Sequence, residues 1–213
     1  MAVTSSSRPT GYPPRLDSGD RLTRDEFERR YEAMPKLKKA ELVEGVVYVG
    51  SPVSLEHANC HGALAGWLVA YAAPRTGVQM GDNATLRLDG DNEYQPDALL
   101  RRIDGTSRVS ADGYIEGPPE LVAEVAVSSV SIDLHTKLNV YRRSGVPEYI
   151  VWRVRDGAFD WFALEAGEYR PIAPDAAGVV ESRVFPGLRM PVPELLAGDY
   201  AAVLRAVASD PTR

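Results

Sequence analysis

The sequence predicts an α/β (α+β) fold, a mixed β-sheet flanked by helices. Helical and strand patterns alternate along the chain, which puts both in one layered structure. Residues 120 to 154 read strand, helix, strand, with the length of a crossover connection that joins parallel neighbours. Short paired strands elsewhere read as hairpins and add antiparallel partners.

The elements follow in order. Residues 1 to 20 are rich in Ser, Pro, Gly and Arg and predict a disordered arm, leaving residues 21 to 208 as one folded domain. Thr23-Arg-Asp-Glu26 has the form of a capping box and opens a helix to about Met34. AELVEGVVYVGSP, 40 to 52, has strand composition on both sides of Gly45, so it is a hairpin turning at Glu44-Gly45 or one bulged strand. Residues 54 to 73 are helical, with Leu64, Trp67, Leu68 and Tyr71 at helical spacing. Strands follow at QMGDNATLRL, 79 to 88, and EYQPDALLR, 93 to 101, around a turn at 89 to 92; Pro96 marks an edge position or a strand start. ELVAEVAV, 120 to 127, is a doubly buried strand, SIDLHTKLNVYRR, 131 to 143, a helix, and EYIVWRV, 148 to 154, a strand. A hairpin over 158 to 165 and 168 to 173 and one or two terminal helices complete the chain.

Composition narrows the class. Apolar residues at 44% and charged residues at 25% are ordinary for a globular protein. No apolar run approaches the ~18–20 residues that span a bilayer, and the N-terminus lacks the apolar core of a secretory signal, so the expectation is no membrane. Cys60 is the sole cysteine, which excludes an internal disulfide and points to a cytoplasmic protein. A net charge of −6 argues mildly against broad electrostatic binding to nucleic acid, although a carboxylate site neutralised by metal would contribute to it. The Lys and Arg clusters at 36 to 39, 101 to 102 and 142 to 143 read first as solvated surface.

The chemistry lies in carboxylates placed where none should be. Glu124 interrupts the apolar run ELVAEVAV, and an unpaired buried carboxylate costs several kcal/mol or takes up a proton. It needs either a basic partner or a metal. Asp97, in YQPDALL, is a second carboxylate in a mostly apolar strand, and side by side the two would stay ionised only with a cation between them. Hard oxygen ligands suit Mg²⁺ or Mn²⁺. Glu44 also interrupts an apolar segment. Lys137 follows Glu124 by 13 residues and stands i,i+4 from Asp133; it is either half of a surface pair or a lysine directed at the site. His57 and His61, also i,i+4, have a spacing that can chelate zinc, but neither an HExxH pattern nor a cysteine pair accompanies them; His57 could instead face the cleft. His135 reads as solvated.

These stretches resemble the Uma-type putative restriction endonuclease family, whose members are similar to the PD-(D/E)XK nucleases. The matching segments are ELVEGVVYVGSP with His57, QPDALL, ELVAEVAVSS and DLHTKLNVYRRSGVPEYIVW, over roughly residues 20 to 200. The resemblance implies a restriction-endonuclease-like fold, Asp97 and Glu124 as metal ligands, Glu44 as an additional acidic residue and Lys137 as the catalytic lysine. The superfamily's usual lysine position, two after the acidic residue, is Ala126 here; the resemblance implies an amine supplied from the following helix, and Lys137 matches that pattern. SSVS, 128 to 131, replaces the family's usual serine–proline turn. The implied activity is Mg²⁺- or Mn²⁺-dependent hydrolysis of DNA phosphodiesters, with a homodimer as a natural way to cut two strands. The alternatives are a catalytically silent nuclease fold that binds nucleic acid or protein, and a purely structural acid cluster.

Overall fold

The structure, a computed structural model, describes residues 13–208. Its strands are β1 (Ala40–Val43), β2 (Val46–Val49), β3 (Val78–Asp82), β4 (Leu86–Asp89), β5 (Asn92–Tyr94), β6 (Ala98–Arg102), β7 (Arg108–Val109), β8 (Ile115–Glu116), β9 (Leu121–Ala126), β10 (Glu148–Arg153), β11 (Ala158–Glu165), β12 (Glu168–Pro171), β13 (Val179–Glu181) and β14 (Arg189–Pro191). The helices are α1 (Arg24–Glu32), α2 (Leu55–Ala72), α3 (Leu138–Arg143, preceded by a π-helical stretch Ile132–Lys137), α4 (Val192–Leu196) and α5 (Tyr200–Ala208).

The central sheet runs β12-β11-β10-β9-β6-β3. Its β9–β10 pair is parallel, with Glu124 opposite Val151, and the π-helical stretch and α3 form the crossover. The other neighbours are antiparallel, so the sheet is mixed as expected. A second sheet, β2-β1-β5-β4-β8-β7, stands beside it, and β13 and β14 form a separate hairpin. Alternation along β9 divides the core. Leu121, Ala123 and Val125 pack with Leu64, Trp67 and Leu68 of α2 and Val203 and Val207 of α5. Val122 and Ala126 face the other way, against Val140 and Tyr141 of α3 and Leu86 and Tyr94 of the second sheet. Glu124 shares the latter face, because side chains alternate with a period of two.

Four expectations need correction. The strands expected over 79 to 88 and 93 to 101 each break in two and divide between the sheets. Asn83, at φ 48°, turns the first, and Pro96 separates β5 from β6 in the second. The two breaks meet where the Asn83 amide donates to the Asp97 carbonyl at 3.3 Å. Thr23 is the N-cap of α1, but its side chain makes no capping bond; Glu26 instead accepts from Arg29 and Arg30 at 2.7 Å. Two arginines one turn away offer the carboxylate charged donors, which outcompete a backbone amide. The helix over 131 to 143 opens with π-helical turns rather than as regular α-helix. Finally, the expected arm runs too far. Residues 1 to 12 lie outside the described residues, but Leu16 is buried against Phe27, Leu42 and Val47, and the Gly19 amide bonds the Val47 carbonyl at 2.8 Å.

Candidate active site

Strand pairing brings the two interrupting carboxylates together. β6 and β9 pair antiparallel with Ala98 opposite Ala123, so one further step of that register sets Asp97 opposite Glu124. Asp97 stands just ahead of β6, held there by a hydrogen bond from the Val125 amide to Oδ2 at 2.7 Å. Pro96 favours this position, since it cannot donate to a ladder and its ring fixes the entry to the strand.

Lys137 reaches the pair from the crossover helix. Its Nζ donates to Glu124 Oε1 at 2.8 Å and lies 2.9 Å from Glu41 Oε2 and 3.8 Å from Asp133 Oδ1. Tyr141 Oη, one turn further, donates to the same Glu124 Oε1 at 3.2 Å. Both hydrogen bonds to Glu124 thus fall on one oxygen. Asp133 is fixed by the Ser129 hydroxyl, which donates to Oδ2 at 2.5 Å. The π-helical stretch carries both Asp133 and Lys137, and both are buried. A π-helical turn often marks a functional site, where it re-aims side chains that a regular helix would point elsewhere. Lys39 stands at the outer edge, its Nζ 3.8 Å from Asp97 Oδ1 and 4.0 Å from Glu41 Oε1. His57, on the first turn of α2, brings Nε2 to 3.4 Å from Asp97 Oδ2. Ser54 caps that helix by accepting from the His57 amide, which sets the ring's approach.

The electrostatics follow from crowding. Glu41, Asp97, Glu124 and Asp133 outnumber the lysines beside them. Burial, then Asp133, Asp97 and Glu41, push the Glu124 carboxyl up to about 8 against the pull of Lys137. Burial also raises Asp133. For Lys137, burial works against the charge, but Glu124, Glu41 and Asp133 outweigh it and hold the amine well above its ordinary value. Asp97 moves the other way. Burial would raise it, but His57, Lys39 and the Val125 amide together hold it below the usual carboxylate range. In turn Asp97 raises His57. The cluster is therefore a buried surplus of negative charge, open on one side to a cleft of about 510 Å³ that Tyr48, Val53 and Arg155 also border.

The structure thus brings together Asp97, Glu124 and Lys137 of the residues expected at a site. Glu44 stands apart from them. It occupies the β1–β2 turn at φ 50°, beside Gly45 at φ 72°, its side chain is 47% exposed, and it pairs with Arg143 at 2.5 Å. Two successive residues at positive φ make the tight turn that joins twisted strands, and a turn tip points to solvent. Glu41, three residues earlier in β1, is the buried carboxylate that reaches Lys137. It also accepts from the Gln95 amide at 2.9 Å, which ties the second sheet to the segment ahead of Asp97.

A model of the Uma2 family, described as a putative restriction endonuclease, matches residues 24–193. The chain belongs to the Uma2 family. A crystal structure of a putative nuclease belonging to DUF820, from Anabaena variabilis, superposes with a TM-score of 0.64 at 15% identity, covering 83% of this chain and 98% of that one. At that identity the likeness shows the fold alone, a mixed sheet flanked by helices. No curated protein matches the sequence.

Three residues beside Asp97, Glu124 and Lys137 in this Uma2 protein carry weak signals in the sequence. Glu41 lies in the same apolar segment as Glu44, and the hairpin pattern puts Glu44 at the turn and Glu41 in the strand. Lys39 read as part of a solvated cluster with Lys36 and Lys38; its place immediately before a buried strand is the signal that distinguishes it. Asp133 has the spacing of a surface pair with Lys137, but in the structure it is buried, on the π-helical stretch. His135 is exposed, as expected. Among the described residues no helix is long and apolar enough to cross a membrane.

Proposed function

We propose that this Uma2 protein is a metal-dependent endonuclease that hydrolyses DNA phosphodiester bonds. The observation that carries the reading is the placement of Asp97 opposite Glu124 on adjacent strands, with the Lys137 amine at 2.8 Å, at the floor of an open cleft. The residues fit a hard divalent cation. The donors are carboxylate oxygens, negative charge is in excess, and Glu124 Oε2 is left free by the two bonds that fall on Oε1. Asp97 and Glu124 would hold Mg²⁺ or Mn²⁺, and the bound ion supplies Lewis acidity at the scissile phosphate and a more acidic water.

The chain's own groups do the rest. Lys137, kept protonated by its three carboxylate neighbours, presents positive charge where a phosphorane-like transition state accumulates negative charge. Glu41 and Asp133 aim that amine; Tyr141 and the lysine fix the rotamer of Glu124. Lys39, at the rim, attracts the phosphate backbone. Cutting both strands calls for two such sites, so the active form is read as a homodimer.

The test is cleavage of plasmid and linear DNA in Mg²⁺ and Mn²⁺. Wild type is expected to nick or cut, and Asp97→Ala and Glu124→Ala to lose activity by at least about 10³-fold while keeping the wild-type circular dichroism spectrum. Cleavage by either variant at the wild-type rate overturns the reading. A second reading has one observation behind it: Lys137 bridges Glu124 and Glu41, so each of these two carboxylates has a cationic partner without metal. A protein that binds DNA but turns over none in either metal fits that silent-module reading.

A further inference from the structure

His57 and His61 form with Asp97 a second constellation, of which the carboxylate–lysine chemistry uses Asp97 alone. Their donor atoms lie within 4.8 Å of one another. The two histidines project from successive turns of α2, ring centroids 5.9 Å apart. Each meets a carboxylate from the sheet below. His57 Nε2 is 3.4 Å from Asp97 Oδ2, and His61 Nε2 is 2.6 Å from Oδ1 of Asp82, at the end of β3. β3 and β6 are neighbours, with Asp82 opposite Ala98, so both carboxylates leave the same end of the sheet. The other nitrogen of His57, Nδ1, is buried and has no hydrogen-bond partner. An orphaned imidazole nitrogen in a polar cleft is costly unless something binds the ring or reorients it.

We propose that His57, His61 and Asp97 bind a divalent transition-metal ion of the Zn²⁺ and Co²⁺ class, in a site that shares Asp97 with the all-oxygen one. Two imidazoles and a carboxylate are the donor set such ions prefer and Mg²⁺ does not. Ligand atoms around a tetrahedral ion with ~2.0–2.1 Å bonds stand about 3.3 Å apart, so small side-chain rotations close the site. Three protein ligands leave one position open toward the cleft, and Asp82 is placed to orient His61 or to fill that position. The site stands on these contacts and does not depend on the nuclease reading.

The experiment is Co²⁺ titration of chelator-stripped full-length protein, followed by visible d–d absorption and by calorimetry, for wild type, His57→Ala, His61→Ala and Glu124→Ala. One equivalent is expected to bind wild type with a four- or five-coordinate spectrum that millimolar Mg²⁺ does not abolish. Either histidine variant is expected to lose affinity at least about tenfold, and Glu124→Ala to keep it. His61 stands on the outer part of α2, so His61→Ala carries the test should His57→Ala misfold. Wild-type affinity in His61→Ala overturns the proposal. So does a Glu124→Ala variant that loses Co²⁺ as completely as His61→Ala, because the ion would then sit in the carboxylate site. A protein that binds Co²⁺ through the histidines but cuts no DNA upholds this site while the nuclease reading fails.

Discussion

Replacing Lys137 by Met removes the one buried cation shared by Glu41, Glu124 and Asp133, all within 4 Å of it. Breaking a buried pair by deleting one partner costs about 3–5 kcal/mol, because the remaining charge is left uncompensated. Lys137→Met is therefore expected to lose that much at pH 8 in urea denaturation, and less in acid, where the carboxyls take up protons. Glu44→Gln is the contrasting case. Its pair with Arg143 is nearly half exposed on both sides, so the change is expected to stay within about 0.5 kcal/mol. A Glu44→Gln variant as damaged as Lys137→Met would return Glu44 to the site. The same contrast explains what single residues revealed in the sequence. A carboxylate inside an apolar run marks Glu124 and Asp97 because nothing else makes burial tolerable. Glu44 mimics that signal, but with Gly45 it forms the tip of the β1–β2 turn, where its carboxylate meets solvent. Glu41 carried the true signal, a charge inside a four-residue buried strand.

At the scale of elements, the parallel crossover was legible because its strand, helix and strand lengths admit few arrangements. The β1–β2 and β11–β12 hairpins were legible from their glycine turns. The breaks at Asn83 and Pro96 were not. A strand that leaves one sheet for another keeps its apolar pattern, so local periodicity is blind to the change of partner. The π-helical opening of the crossover helix was hidden for a similar reason: i,i+4 spacing shows that Asp133 and Lys137 share a face, but not that the face is buried. One element-level anchor was also invisible. Glu148, at the start of β10, is fully buried. Its Oε2 accepts from Ser182 Oγ at 2.7 Å and Trp161 Nε1 at 3.2 Å, and its Oε1 accepts from the Arg183 and Val184 amides at 2.6 and 3.2 Å. Burial raises its carboxyl, and those four donors oppose the rise. It thus fastens the segment after β13 to the central sheet. Glu148→Ala would take the acceptor from the buried Ser182 hydroxyl and Trp161 indole N–H and from the part-buried Arg183 amide, which predicts a loss of about 3–5 kcal/mol, or roughly 10 °C in Tm. A loss under about 1 kcal/mol would mean that the segment holds by apolar packing alone.

Across the whole molecule, the buried negative charge ties stability to pH and to metal. The folded state raises the Glu124 carboxyl to about 8, so between the ordinary carboxylate range and pH 8 it holds a proton that the unfolded chain has released. Stability falls with rising pH wherever the native state binds more protons. In chelator, the contribution of Glu124 to Tm is therefore flat below about pH 4.5 and declines from there to about pH 8. A divalent ion reverses the trend, because it replaces that proton and binds more tightly as the pH rises. At 100 times its Kd an ion binding only the folded state adds about 2.7 kcal/mol, or roughly 5–10 °C for a chain of this size. The Mn²⁺-induced gain in Tm is thus expected to grow from pH 5 to pH 8 in wild type. Glu124→Gln carries no titrating group at that position, so its chelator curve is expected to fall less over the same window and its Mn²⁺ gain to be small at every pH. Parallel wild-type and Glu124→Gln curves in chelator would show that the carboxylate is paired and ionised throughout. An equal Mn²⁺ gain in both proteins would move the metal away from Glu124, and with it the reason for burying a carboxylate in the middle of β9.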